Sequence, residues 1–292
     1  MKKLIYLLLS LLVFTGCREK LIDTTDLNIP ERLVVGCFIS PQDDTLYATV
    51  TLSRALYGQS IFDDWQHPKV SNATVTIRSG GNSAVFSYNT DLQRYILPAT
   101  AMPIVAGQTY TLEVTTPDGK RVDAQCTVPS ATNLQFEVFG NIVAPQPGGD
   151  TWGRSINVDF RWQGQPDKNR FYRLNYAQIL EEGAFRGEYW QNAYLGATQF
   201  YADTERENKR FRVFERVGLV FVGGDGYRLR IKGVLQELDE NSYRYFTSVS
   251  KQLQVGADGF SEPVVIFTNI NNGLGCFGAS YQYTVLSDTL AF

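Results

Sequence analysis

Histidine is almost absent from this sequence, and cysteine is scarce. The 292 residues include one histidine, His67, and four cysteines, no two of which stand at the C-x-x-C spacing. Zinc proteases of the H-E-x-x-H type need two histidines, and structural zinc sites need clustered Cys or His ligands. The sequence therefore excludes histidine-based metal sites, and we expect neither a metal ion nor another cofactor.

Motifs for nucleotide binding and serine hydrolysis are also missing. Neither the G-x-x-x-x-G-K-[ST] loop nor the G-x-S-x-G elbow occurs. Basic residues do not dominate either, since 27 Lys and Arg stand against 30 Asp and Glu, for a formal net charge of −3. Because nucleic-acid-binding proteins present an excess of positive charge to phosphates, we expect no nucleic-acid partner.

Only the N-terminus carries a long apolar run, Leu4–Phe14, which follows two lysines and ends in a Thr-Gly pair before Cys17. This run is shorter than the ~20 residues that span a bilayer, but it fits a signal peptide. Where a cysteine replaces the usual small residue, the signal peptide can be cleaved just before it and the cysteine can be acylated. We therefore predict a signal peptide over residues 1–16 and a lipid anchor on Cys17, with the membrane leaflet left open. The alternative is an ordinary signal peptide followed by a chance cysteine.

Alternating apolar and polar residues dominate the chain beyond residue 30. This period of two is typical of half-buried strands, and Asp118-Gly119 between two such runs is a hairpin signal. Some seven short strands between Leu33 and Val128 predict an immunoglobulin-like or prealbumin-like β-sandwich, in which Tyr110 resembles a tyrosine corner. The clearest runs are Leu46–Ser53, Ala73–Arg78 and Thr109–Thr115.

The predicted organisation has four parts. A tether over residues 17–30 leads to the sandwich at 31–129, and a second β-rich domain follows at 130–292. The second domain contains one convincing helix at about Asp239–Leu253, which Asp239 or Asn241 can cap. Its predicted strands are Ile156–Trp162, Asn169–Leu180, Arg210–Val222 and Tyr227–Leu235.

Paired carboxylates are the main catalytic option left, because glycoside hydrolysis can proceed on two acids without histidine. Each candidate lies at a strand end or helix start, where solvated acids are common, so we interpret all of them as structural. A Ser-His-Asp triad built on His67 is a minor alternative to an exposed loop histidine. The candidate acids are Glu181, Glu182, Asp203, Glu205, Glu207, Asp239 and Glu240.

Two aromatic-rich segments, 57–68 and 188–201, interrupt the strand pattern. Apolar aromatics in long loops are either buried or form contact surfaces, and aromatic platforms also suit sugar stacking. Both interpretations stay open. The candidate contact residues are Phe62, Trp65, Tyr189, Trp190 and Tyr194.

Three cysteines remain besides Cys17. The strand pattern points Cys37 and Cys126 inward, and in sandwiches of this type the first strand often runs beside the last. An exported protein can form disulfides, so we predict a bridge between Cys37 and Cys126. The alternative is two buried free thiols, with Cys276 free in either case.

Several motifs occur in an order that resembles a known family. They are Glu31–Gly36, Asn72–Val75, Gly107–Val114, Pro117–Lys120, Tyr243–Tyr245, Phe260–Pro263, Asn269-Ile270 and Gly273–Ala279. The chain resembles the Bacteroidetes lipoprotein family catalogued as domain of unknown function 4249, over essentially the whole mature sequence. The resemblance implies an outer-membrane lipoprotein often encoded beside a TonB-dependent receptor, with no established activity and no site residues.

Together these observations predict a mainly β, non-enzymatic lipoprotein that serves as an accessory binding or scaffold subunit. Its expected partners are the lipid bilayer, through acylated Cys17, and an outer-membrane protein such as a TonB-dependent receptor. The alternatives are a carboxylate-based hydrolase acting on glycans and a glycan-binding module.

Overall fold

A computed structural model describes ten segments of the chain. They are residues 30–53, 68–130, 134–143, 155–165, 169–182, 185–191, 199–205, 208–218, 228–255 and 264–290. These segments contain sixteen β-strands and one α-helix, so the prediction of a mainly β protein is confirmed.

Eight strands lie in the first half of the chain. They are β1 (Leu33–Ile39), β2 (Thr45–Leu52), β3 (Thr74–Ser79), β4 (Asn82–Val85), β5 (Ser87–Asn89), β6 (Arg94–Pro98), β7 (Thr109–Thr115) and β8 (Arg121–Thr127). The second half adds β9 (Phe136–Val143), β10 (Ser155–Gln163), β11 (Phe171–Glu182), β12 (Phe185–Gln191), β13 (Gln199–Ala202), β14 (Arg210–Gly218), β15 (Arg228–Leu238), helix α1 (Glu240–Val255) and β16 (Leu274–Leu286).

A nine-stranded sheet runs through both halves of the chain. Its order is β12-β11-β15-β16-β1-β2-β6-β5, and β13 also pairs with β11. The joint is a parallel pairing of β16 with β1, from Val34 opposite Leu274 to Ile39 opposite Ala279. Two smaller sheets have the orders β4-β3-β7-β8 and β14-β10-β9.

Two hydrophobic cores lie between the long sheet and the smaller sheets. The first core joins residues of β1, β2 and β6 to residues of β3, β7 and β8, which makes a sandwich. The second joins β11 and β15 to the three-stranded sheet, with large aromatics at its centre. The first core also includes Ile270, Phe277 and Ala279 from the C-terminal part of the chain, and the long sheet is continuous across both cores. The central aromatics of the second core are Phe160, Trp162, Tyr172, Tyr176 and Phe211.

Tyr110 is fully buried and forms the corner that its sequence context suggested. Its hydroxyl donates to the carbonyl oxygen of Pro103 (3.0 Å) and accepts from the backbone N–H of Val105 (2.8 Å). A buried phenol needs such partners, because an unpaired hydroxyl would lose its bonds to water. The hydroxyl thus ties the 103–105 segment to the start of β7.

Helix α1 packs on the long sheet through aromatic contacts. Phe38 of β1 stacks on Phe246 at 4.7 Å between ring centroids, and Phe171 of β11 stacks on Tyr243 at 4.4 Å. Asp239 caps the helix, since its Oδ1 accepts from the backbone N–H of Ser242 (2.9 Å). The predicted helix is confirmed with bounds shifted by one or two residues.

The predicted bridge between Cys37 and Cys126 is not formed. Both cysteines are free and buried, as is Cys276. The prediction assumed that the first strand runs beside the last strand of the sandwich, but β1 pairs with β2 and β16, while β8 pairs with β7 in another sheet. Burial raises the pKa of all three thiols, so they act as small apolar core residues.

The long sheet needs a glycine at position 275, where β16 lies very close to β1. The φ of Gly275 is +101°, and a Cβ there would lie 2.1 Å from the backbone oxygen of Val35 in the paired strand. We expect Gly275→Ala to lower the free energy of unfolding by more than ~3 kcal/mol, since backbone strain and a backbone clash combine. Urea unfolding measures this loss.

Gly119→Ala is the matched control. Gly119 also has a positive φ, +87°, but nothing lies within 4 Å of its added Cβ. We expect a loss of only ~1–2 kcal/mol from backbone strain. Equal losses in the two variants would mean that the close approach of β1 and β16 contributes nothing.

Candidate functional site

Two of the predicted contact aromatics, Tyr189 and Trp190, lie in the described part of the chain, and the structure places them on opposite faces of one strand. Tyr189 and Trp190 are neighbours on β12 and therefore point to opposite faces. Tyr189 packs against the second core, whereas Trp190 is 45% exposed and has the Nζ of Lys232 5.1 Å from its ring centroid. Phe62, Trp65 and Tyr194 lie outside the described residues, as do Cys17 and His67.

Two of the candidate acids have clear structural partners. The buried Asp203 accepts the backbone N–H of Arg170 (2.7 Å) and lies 3.7 Å from the Nζ of Lys209. Glu181 forms an ion pair with Arg186 of the neighbouring strand at 3.6 Å. Glu207 and the side chains of Glu182 and Glu205 lie outside the described part of the chain.

Three other acids line one cleft of about 480 Å³, where the ends of β8 and β15 meet the start of β11. Glu237 forms a buried ion pair with Arg170 in this cleft, and Asp239 caps α1. Burial raises the pKa of Asp239, despite the amides that its carboxylate accepts. Glu240, the third acid, is exposed. Two of the three carboxylates thus have structural roles in this cleft.

A different polar surface covers the outer side of the three-stranded sheet. Strand β14 buries Phe211 and Val213 in the second core and exposes Arg210, Arg212 and Phe214. This follows from the period of two along a strand. We call this surface the arginine face, and it consists of Glu137, Phe139, Asn141, Asn157, Asp159, Arg161, Gln163, Arg210, Arg212, Phe214 and Arg216.

Strand register places these residues in rows. Asp159 lies between Phe139 and Phe214, and in the next row Arg161 lies between Glu137 and Arg212. Phe139 and Phe214 are 48% and 58% exposed, which is unusual for two large apolar side chains beside the same residue.

Asp159 organises the arginines around it. Arg212 donates from Nε to Oδ1 (3.0 Å) and from a terminal nitrogen to Oδ2 (2.8 Å), while Arg161 donates from Nε to Oδ2 (3.1 Å). The guanidiniums of Arg212 and Arg161 lower the pKa of this carboxyl. Arg161 also lies over the ring of Phe139, 4.9 Å from its centroid. One carboxylate therefore holds two cations in place.

A cleft of about 450 Å³ opens at one end of the arginine face. Arg161, Arg210 and Arg212 line it together with one acid, Glu137. Trp162 also lines the cleft; its indole Nε1 is buried and has no hydrogen-bond partner among the described residues. The sequence analysis did not predict this face. The arginines at alternating positions of the predicted strand at 210–222 could have indicated that they share one face of the sheet.

Cation ligands are not clustered in the parts of the chain that the structure describes. These contain no group of three or more His, Cys, Asp or Glu side chains placed to hold a metal ion. Among the same residues, no helix is both long enough and apolar enough to cross a membrane.

Trp190→Ala and Trp162→Ala test whether Trp190 lies at the surface and Trp162 in the core. Trp190 is 45% exposed, so its replacement should change the free energy of unfolding by less than ~1 kcal/mol. Trp162 is 3% exposed and stacks on Phe211 at 4.7 Å, so its replacement should cost about 3–5 kcal/mol. Urea unfolding compares the two variants, and equal losses would place Trp190 in the core.

Comparison with known proteins gives a family but no activity. No curated protein matches the chain. A family model described as a domain of unknown function, DUF4249, matches residues 19–285. Because the match covers most of the sequence, this chain belongs to the DUF4249 family.

Proposed function

We propose that the chain is a lipid-anchored outer-membrane lipoprotein that acts as a non-enzymatic binding or scaffold subunit beside a TonB-dependent transporter. The observation that carries the proposal is the N-terminal run Leu4–Phe14 ending in Thr-Gly-Cys17. Such a segment directs export, and acyl chains on the cysteine hold the protein at a membrane.

The proposed tether is short enough to keep the β-rich body near the membrane. Twelve residues separate Cys17 from Pro30, where the described chain begins. A fully extended chain advances at most ~3.6 Å per residue, which gives a reach of about 45 Å. The β-rich body therefore stays within one domain diameter or so of its anchor, close to any neighbouring transporter.

The surface favours a binding role. The exposed Trp190 and the exposed phenylalanines and arginines of the arginine face are residue types enriched in interfaces. The rival hydrolase would use the acids of the cleft at Glu237, but the ion pair with Arg170 and the capping role of Asp239 give two of them other tasks. The TonB-dependent partner is what the family resemblance implies.

Replacing Cys17 with Ala tests the anchor. The variant should accumulate as an unacylated precursor that leaves the membrane fraction on washing, because no thiol remains for acylation. Metabolic labelling with an alkyne fatty acid, followed by fractionation, measures both effects. Cys276→Ala, which removes a buried thiol, is the control and should stay acylated. Acylated Cys17→Ala protein would refute the anchor.

Affinity purification of the full chain from native membranes tests the partner. We expect an outer-membrane TonB-dependent receptor to co-purify, and we expect Trp190→Ala to reduce its yield more than Tyr47→Ala, which removes a comparably exposed aromatic of the first sandwich. Recovery of the chain without a membrane protein would contradict the scaffold role. Release of reducing sugar from glycans by the purified chain would favour the hydrolase instead.

A further inference from the structure

We propose that the arginine face binds an acidic glycan, with its arginines on uronate carboxylates and Phe214 against a sugar ring. This inference deepens the binding role proposed above, because it names the class of ligand and the surface that takes it. The argument rests on four features of the face: paired guanidiniums, an uncompensated charge, exposed rings and flanking amides.

Arg161 and Arg212 are already arranged for carboxylates. Arg212 grips Asp159 with two parallel bonds of 3.0 and 2.8 Å, the forked geometry that matches a planar carboxylate. A guanidinium carries five N–H donors, so these bonds leave further donors for a ligand. The side chains of Arg212 and Arg161 are 63% and 47% exposed, and Asp159 fixes their positions before any ligand arrives.

Arg210 contributes a charge to the mouth of the cleft. Its Nε donates to the neutral Oε1 of Gln163 at 3.1 Å, a bond that orients the side chain without cancelling its charge. A carboxylate entering the cleft would meet this charge together with those of Arg161 and Arg212.

The exposed rings suit the C–H face of a pyranose. Phe214 is 58% exposed on a largely polar surface, next to the row of Arg161 and Arg212. Burying such a ring against sugar C–H groups removes apolar area from water. An aromatic ring beside forked cations therefore matches a sugar that carries a carboxylate.

The remaining residues favour a glycan over a phosphate-rich partner. Glu137 shares the face with the arginines, and its negative charge would repel the dense phosphates of a lipid surface or nucleic acid. Sugar hydroxyls can instead donate to this carboxylate and to the amide oxygens of Asn141, Asn157 and Gln163. Of these acceptors, the carboxylate of Glu137 is the one that disfavours phosphate.

The experiment measures binding of oligogalacturonate to the full chain purified in detergent, by isothermal titration calorimetry. Cello-oligosaccharide of the same length probes neutral sugar binding, and inorganic polyphosphate of the same charge probes simple charge attraction. We expect the uronate to bind, to weaken as salt rises, and to exceed both other probes. The proposal is overturned if the uronate does not bind, or if polyphosphate binds equally well.

Two variants locate the site. Arg210→Gln and Phe214→Ala should each reduce uronate affinity about tenfold, since each removes one exposed contact while leaving the Asp159 network intact. Arg94→Gln and Tyr47→Ala are matched controls, because Arg94 lies over the ring of Tyr47 (5.3 Å) in another sheet. Equal losses in variants and controls would place binding elsewhere, and urea unfolding checks that all four fold.

The ligand class and the proposed function fail in different ways. If oligogalacturonate does not bind while Cys17 acylation and partner capture persist, only the ligand class is wrong. If uronate binding holds but no membrane protein co-purifies, the scaffold role is wrong and the glycan site stands.

Discussion

The parallel pairing of β1 with β16 is the contact on which the rest of the structure depends. It joins six residue pairs from opposite ends of the sequence and makes one sheet of what are otherwise two sets of strands. The same pairing places Phe277 in the first core and Gly278 under α1, where a Cβ would lie 2.0 Å from the Oγ of Ser242. The first core and the helix therefore both depend on this joint.

Strand alternation connects the second core to the arginine face. On β14, the residues that fill the core alternate with those that carry charge, so Phe211 stacks on Trp162 inside while Arg212 grips Asp159 outside. The packed interior fixes the positions of the strands, and the strands fix the spacing of the outward arginines. A binding surface built on a packed sheet is already in place before a ligand arrives.

Local features of this protein were predictable from sequence, and distant pairings were not. Alternation predicted the strands, the local motif predicted the Tyr110 corner, and a capping residue before a helical pattern predicted the helix start at Asp239 or Asn241, because each depends on residues close in sequence. Nothing local reveals that β16 lies beside β1, and the incorrect Cys37–Cys126 bridge came from treating the first half as closed on itself. The arginine face was missed because charge on an outward face is the ordinary pattern of a strand; only the register with Asp159 and the two phenylalanines distinguishes it.

The joint between β1 and β16 also determines when the protein can finish folding. As the chain emerges from the ribosome, β1 appears long before its parallel neighbour β16. Hairpins such as β7–β8 can close locally, whereas β1 must wait with one side unpaired. Contacts between such distant segments slow folding and prolong the exposure of unpaired strands to aggregation. The long sheet of this protein can therefore be completed only after β16 has been made.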